Sequence, residues 1–268
     1  MMDPLLDSPT TKLRTKAQSF RQADIEGICP VDDLIGIAGI VGLLLLAGAA
    51  IAVARPGTVS LRWLLVAAGL VVLNDFLLTR GYGLLPRLIP PSEWNWQGKL
   101  LALAATLAIA ALPAFGWRKS GLTFEQAKGS LGSCLPLAII YCAFFAVLAH
   151  FFPSPPASRE TIAFQLTMPG FEEEPFYRGI LLLALDQAFR GRVRLIAVDW
   201  GWSAVLSCTL FGLAHSFGFS HGHFSFDPLN MALTALPSFI GVWLRIRTGS
   251  LVIPVLLHNF GNSIFLFL

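Results

Sequence analysis

Charge is scarce in this chain. Asp, Glu, Lys and Arg make up 13% of its 268 residues, where a soluble domain carries about 25%. That is too little to cover a water-facing surface, so an ordinary soluble domain is excluded. The net charge of +3 is spread over many short loops, which argues against a nucleic-acid partner. Cysteine is sparse as well. The four cysteines (Cys29, Cys134, Cys142, Cys208) form no CxxC pair, which removes cysteine-zinc and thioredoxin-like readings. Three of them stand in apolar runs, where a thiol is an ordinary packing residue. There is no internal repeat, and no polar stretch long enough to link two domains.

Apolar runs are what the chain has in abundance. Hydrophobic residues reach 55%, with a mean hydropathy of +0.67, and runs approaching the ~20 residues that cross a bilayer recur along the sequence. Eight spans are expected: Leu34–Ala54, Leu61–Leu78, Leu100–Trp117, Leu131–Phe152, Thr161–Phe189, Trp200–Phe217, Pro228–Leu244 and Gly249–Leu268. The seven tryptophans fall at or near run ends, where an aromatic belt places them. Stretches such as "RPGT", "FPSPPASR" and "RIRTGS" read as short turns. The expected architecture is an all-α, polytopic transmembrane bundle: a polar tail over 1–33, then a single membrane domain over 34–268. The tail could carry an interfacial helix through Leu13, Ala17 and Phe20, or be plainly solvated. Lys and Arg nearly balance between the two sets of loops, so the positive-inside rule leaves orientation open.

Against this background the polar residues inside apolar runs stand out, because an ionisable group at mid-membrane costs about 2.5–3.5 kcal/mol on insertion scales. They are Asp75, then Glu172, Glu173, Glu174 and Arg178 in "FEEEPFYRG", His215 in "FGLAH", and His258 with Asn262 in "HNFGN". Asn74 and Asn259 form a second tier, and Asp75 reads as an interfacial acid tied to Asn74 or Arg80. Glu174 and Arg178, four apart, share a helix face and can pair; Glu173 is turned about 100° away. Pro169-Gly170 is expected to break the preceding helix and Pro175 to open a new one, which would leave the carboxylates near a positive helix N-terminus. Glu172 has no assigned partner. Phe211 stands one turn before His215, and His258 one turn before Asn262. His221 and His223, in "SHGHFSFD", read as loop residues.

Each residue alone admits a bland reading: a salt-bridged re-entrant turn, or a histidine bonded between helices. Together, an acid, two imidazoles and an amide on three helices point to hydrolysis. A carboxylate beside an imidazole can deprotonate a water, and a second imidazole with an amide can stabilise an oxyanion. Alternatively, Glu173, His215 and His258 are a ligand set for a catalytic zinc with an open position. Other membrane-protease chemistries lack their residues. HExxH is absent, "GYGL" has no aspartate, and "GWSA" lacks the second glycine of a serine elbow.

The three motifs "EEPFYR", "FGLAH" and "HNFGN" resemble, in order and spacing, the EExxxR, FxxxH and HxxxN motifs of the CPBP family. That family comprises the CAAX proteases and bacteriocin-processing enzymes, and includes the type II CAAX prenyl endopeptidases. The resemblance covers about 161–268. It implies an eight-span intramembrane protease of metallo- or glutamate type, in which Glu173 and His215 activate water. His258 and Asn262 would stabilise the oxyanion, and Glu174, Arg178 and Phe211 would support the site. The substrate would be a peptide or lipidated protein in the lipid bilayer, and the location a multi-pass membrane protein, in the cell membrane if the source is prokaryotic. Two other classes compete: a catalytically silent scaffold or immunity-type protein, and a proton-coupled transporter using Glu173 and the histidines as a relay.

Overall fold

The structure is a computed structural model describing residues 30–86, 89 and 92–268. The expected tail lies outside the described residues as far as residue 29, and its last four positions already belong to a helix. That helix, α1 (Pro30–Ala54), carries Asp32 and Asp33 in its first turn, next to the positive end of the helix dipole. It is followed by α2 (Leu61–Thr79), a 3₁₀ turn (Gly81–Leu84), α3 (Trp96–Ala110) and α4 (Leu131–Phe151). Next come α5 (Arg159–Glu174), a π-helical segment (Pro175–Leu181) and α6 (Leu182–Ala188), which run on without a break. The chain closes with α7 (Trp202–Ser216), α8 (Pro228–Thr248) and α9 (Val252–Ser263).

Among the described residues, four helices are long and apolar enough to cross a bilayer: Val31–Ala54, Leu61–Thr79, Leu131–Phe151 and Pro228–Thr248. The other four expected runs do form helices, but α3 and α7 have 15 residues each and α9 has 12, short of the ~20 that a straight span needs. The fourth, 159–188, holds the cluster of ionisable groups. By length and apolarity, four of the eight qualify. The outer helices present apolar side chains outward, with Leu135, Ile139, Ile140, Phe144 and Val147 of α4 all exposed. A surface of this kind suits lipid tails and would be untenable in water. The protein is an integral membrane protein.

Two departures from the expected pattern are local. Two short antiparallel hairpins, β1 (Val193–Leu195) with β2 (Val198–Trp200) and β3 (Phe217–Ser220) with β4 (His223–Phe226), cap helix ends without altering the all-α class. The second puts His221 at a turn and His223 in a strand. His221 and Gly222 have φ of 51° and 80°, the double positive φ of a tight two-residue turn. The other departure corrects the break expected at Pro169-Gly170, because α5 runs straight through both residues. Next to Pro169, the N–H of Gly170 donates to Oδ1 of Asn259 on α9, at 2.7 Å, which ties this stretch of α5 to its neighbour. Glycine is required there, since a Cβ would lie 2.6 Å from that oxygen and 2.7 Å from the carbonyl oxygen of Val255. Pro175, which lacks an N–H and crowds the preceding turn, instead begins the wider π turn. The three glutamates therefore sit in the middle of a continuous 159–188 helix, not at a helix N-terminus.

This continuous helix is the innermost element. Phe176, Ile180, Leu181, Ala184, Leu185 and Phe189 are at most 2% exposed. Helix α9 packs along α5, α8 along α7, α2 against α6 and α3 against α5. At Gly212 a Cβ would meet Sδ of Met231 at 2.5 Å, so the α7–α8 contact also depends on a missing side chain. The polar side chains of α5, α7 and α9 are thus drawn to one place.

Candidate active site

Three consecutive residues on a helix point about 100° apart, and Glu172, Glu173 and Glu174 use this to serve three different neighbours. Glu172 faces α3, where its Oε2 accepts from Nζ of Lys99 at 2.6 Å, and its side chain is wholly buried. Glu174 faces α9 and its own following turn. Its Oε1 lies 2.6 Å from Nδ1 of His258 and 3.3 Å from a guanidinium nitrogen of Arg178. This is the i,i+4 pair expected from the spacing. Glu173 points between them, with Oε1 2.6 Å from Nζ of Lys99 and Oε2 3.4 Å from Nε2 of His258 and 4.0 Å from Nε2 of His215.

The hydrogen bonds on the far side of each imidazole fix its tautomer. Nδ1 of His258 meets a carboxylate, and Nδ1 of His215 meets the carbonyl oxygen of Phe211 at 2.8 Å. Both partners only accept, so each Nδ1 carries the hydrogen and each Nε2 is turned toward Glu173. In the neutral rings the three groups that converge, one carboxylate oxygen and two ring nitrogens, are all acceptors. Such a place is completed by a molecule that donates, and water donates twice.

Phe211 gains a physical role from its neighbours. The guanidinium carbon of Arg178 sits 4.2 Å from its ring centroid, within cation–π range. The rings of His215 and His258 lie at 4.6 and 5.9 Å. Arg178, 2% exposed, also donates to Oγ of Ser238 at 2.8 Å. One aromatic face therefore holds the arginine that holds Glu174, and at the same time bounds both imidazoles. Asn262 is the outlier. It follows His258 by one turn on α9, is exposed, and makes no side-chain hydrogen bond among the described residues. Asp75 lies half-buried on α2 outside this cluster, within electrostatic reach of Asp33 and Arg80, which bond to each other at 3.1 Å.

Sequence reasoning missed Lys99, which reads as a loop cation just ahead of an apolar run. The available signal was charge balance, because three glutamates against one arginine leave Glu172 without a partner in a segment that cannot hold a bare carboxylate. The zinc ligand set fares less well. Among the described residues no group of three or more His, Cys, Asp and Glu side chains is disposed to hold a metal ion. The carboxylate that would supply one ligand already shares its other oxygen with the Lys99 ammonium, and that fixed positive charge opposes a dication. The residues do not fit zinc.

Residues 156–264 match the family described as Rce1-like, type II CAAX prenyl endopeptidase Rce1-like. The matched segment contains all three motifs and every residue of the cluster except Lys99. No curated protein and no solved structure matches the chain.

Proposed function

We propose that this membrane protein, whose residues 156–264 match the Rce1-like family of type II CAAX prenyl endopeptidases, is an intramembrane endopeptidase whose water is activated by Glu173 and His215. The observation that carries the reading is the convergence of Oε2 of Glu173 with Nε2 of His258 and of His215, at 3.4 and 4.0 Å. A water there donates one hydrogen to the carboxylate and one to the imidazole of His215. As it attacks the scissile carbonyl its proton passes to Glu173, which is general-base catalysis. His258, held by Glu174, stands beside the water site on the side where the oxyanion develops. The amide of Asn262, without a side-chain partner among the described residues, is available for the same oxygen. Glu173 then returns the proton to the leaving amine. Glu174, Arg178 and Phe211 hold the rings in place.

The substrate is a membrane-associated or lipidated peptide, with a prenylated C-terminus the first candidate from the family's description. The test is a comparison of new peptide termini in membranes carrying wild type or Glu173→Gln at matched expression. Cleavages present with wild type and lost in the variant are the expected result, and they name the substrate. Matching termini across well-covered membrane peptides would instead favour a silent scaffold.

A further inference from the structure

Lys99 lies outside the matched segment and outside the three motifs, yet it touches the central carboxylate more closely than either histidine does. It stands in the first turn of α3, capped by Asn95, whose side chain accepts from the N–H of Gly98 at 2.9 Å. That turn is tied to the start of α5 by two indoles: Trp94 donates to Oγ1 of Thr161 at 2.9 Å and Trp96 to Oε1 of Glu160 at 3.1 Å. Both indoles also pack on the ring of Phe164. With α3 fixed in this way, the lysine side chain, 16% exposed, places its ammonium 2.6 Å from Glu172 Oε2 and 2.6 Å from Glu173 Oε1.

The arrangement is directional. An ammonium has three hydrogens, and two are committed here. Glu172 is wholly buried and faces neither histidine, so its part is to hold the lysine. Glu173 is gripped by one oxygen and leaves the other toward the two imidazoles. We propose that Lys99, anchored by Glu172, is the positioning residue of Glu173: it fixes Oε1 so that Oε2 stays aimed at the water site between His215 and His258. The inference rests on the endopeptidase reading above and adds to it a residue contributed by the N-terminal half of the membrane domain. It also gives Glu172 a part of its own.

The full chain in proteoliposomes, with a prenylated CAAX peptide as probe, supplies the test. The proteins compared are wild type, Glu173→Gln, Lys99→Met, Lys99→Arg and the double variant Lys99→Met with Glu172→Gln. Lys99→Met lowers kcat about a hundredfold, the effect of misplacing a catalytic group by an ångström, with KM changed by less than about threefold. Lys99→Arg, which keeps a cation, retains most of the activity. The double variant removes the uncompensated buried acid along with the cation, so it recovers thermal stability while kcat stays low. If the double variant also recovers kcat, Lys99 only neutralises Glu172, and the positioning role is overturned. Wild-type kcat in Lys99→Met, with Glu173→Gln inert, overturns the Lys99 inference alone. A wild-type protein that cleaves no better than Glu173→Gln overturns the endopeptidase reading and this inference with it. Should Lys99→Met fail to fold, the double variant, which removes the wholly buried Glu172 carboxylate together with the ammonium, carries the kcat measurement.

Discussion

Nδ1 of His258 lies 2.6 Å from Oε1 of Glu174. The carboxylate can only accept, so this one contact sets the tautomer, fixes the ring plane and leaves Nε2 facing Glu173. Glu174 also pairs with Arg178 at 3.3 Å, so a single buried acid joins the helix that carries the acids to the helix that carries the second histidine.

Replacing Glu174 separates orientation from stability. Glu174→Gln keeps the shape and loses the charge that steadies His258, and cleavage falls about a hundredfold or more, as expected when the group orienting a catalytic imidazole is altered. Glu174→Ala strands the buried Arg178 guanidinium and costs about 3–5 kcal/mol of stability. Cleavage assays and thermal melts in detergent on the two variants check both expectations.

The seam between α5 and α9 has its own test. Gly170→Ala would set a methyl 2.6 Å from Oδ1 of Asn259, and overpacking of this kind costs about 1–3 kcal/mol. Asn259→Ala leaves the buried N–H of Gly170 unpaired, again about 1–3 kcal/mol. Because both changes act on one contact, the double variant loses less than the sum of the singles in thermal melts.

Metal removal gives an outcome with a definite sign. Since the Lys99 ammonium shares the carboxylate that zinc would need, cleavage by purified protein persists after exhaustive treatment with a strong chelator. Activity lost on chelation and restored by added zinc would require a rearranged site.

What the sequence made legible was local. Glu174 with Arg178, Phe211 with His215, and His258 with Asn262 are each one helical turn apart, and helical geometry alone puts each pair on one face. Lys99 was illegible because its partners lie 73 and 74 residues away, and only the packing of α3 on α5 brings them together. Pro169 misled for a related reason. Proline breaks an isolated helix, but here Asn259 on another helix takes up the neighbouring N–H. The spans at α3, α7 and α9 were read from runs of apolar residues, and such runs do not show where a helix yields to a turn or a hairpin. Phe217 illustrates this, being the last residue of an expected span and the first of β3. The motif acids were placed correctly in sequence and wrongly in the helix, because the π turn after Pro175 is set by how the buried helix packs.

The central claim is that Glu173 activates the attacking water. It is tested most directly by purified wild type and Glu173→Gln, in proteoliposomes of identical composition, with cleavage of a prenylated CAAX peptide followed by mass spectrometry. Wild type makes a single defined cut, and the variant cuts at a rate at least about a thousandfold lower, a magnitude within the range of general-base catalysis. Equal cleavage by the two proteins would contradict it.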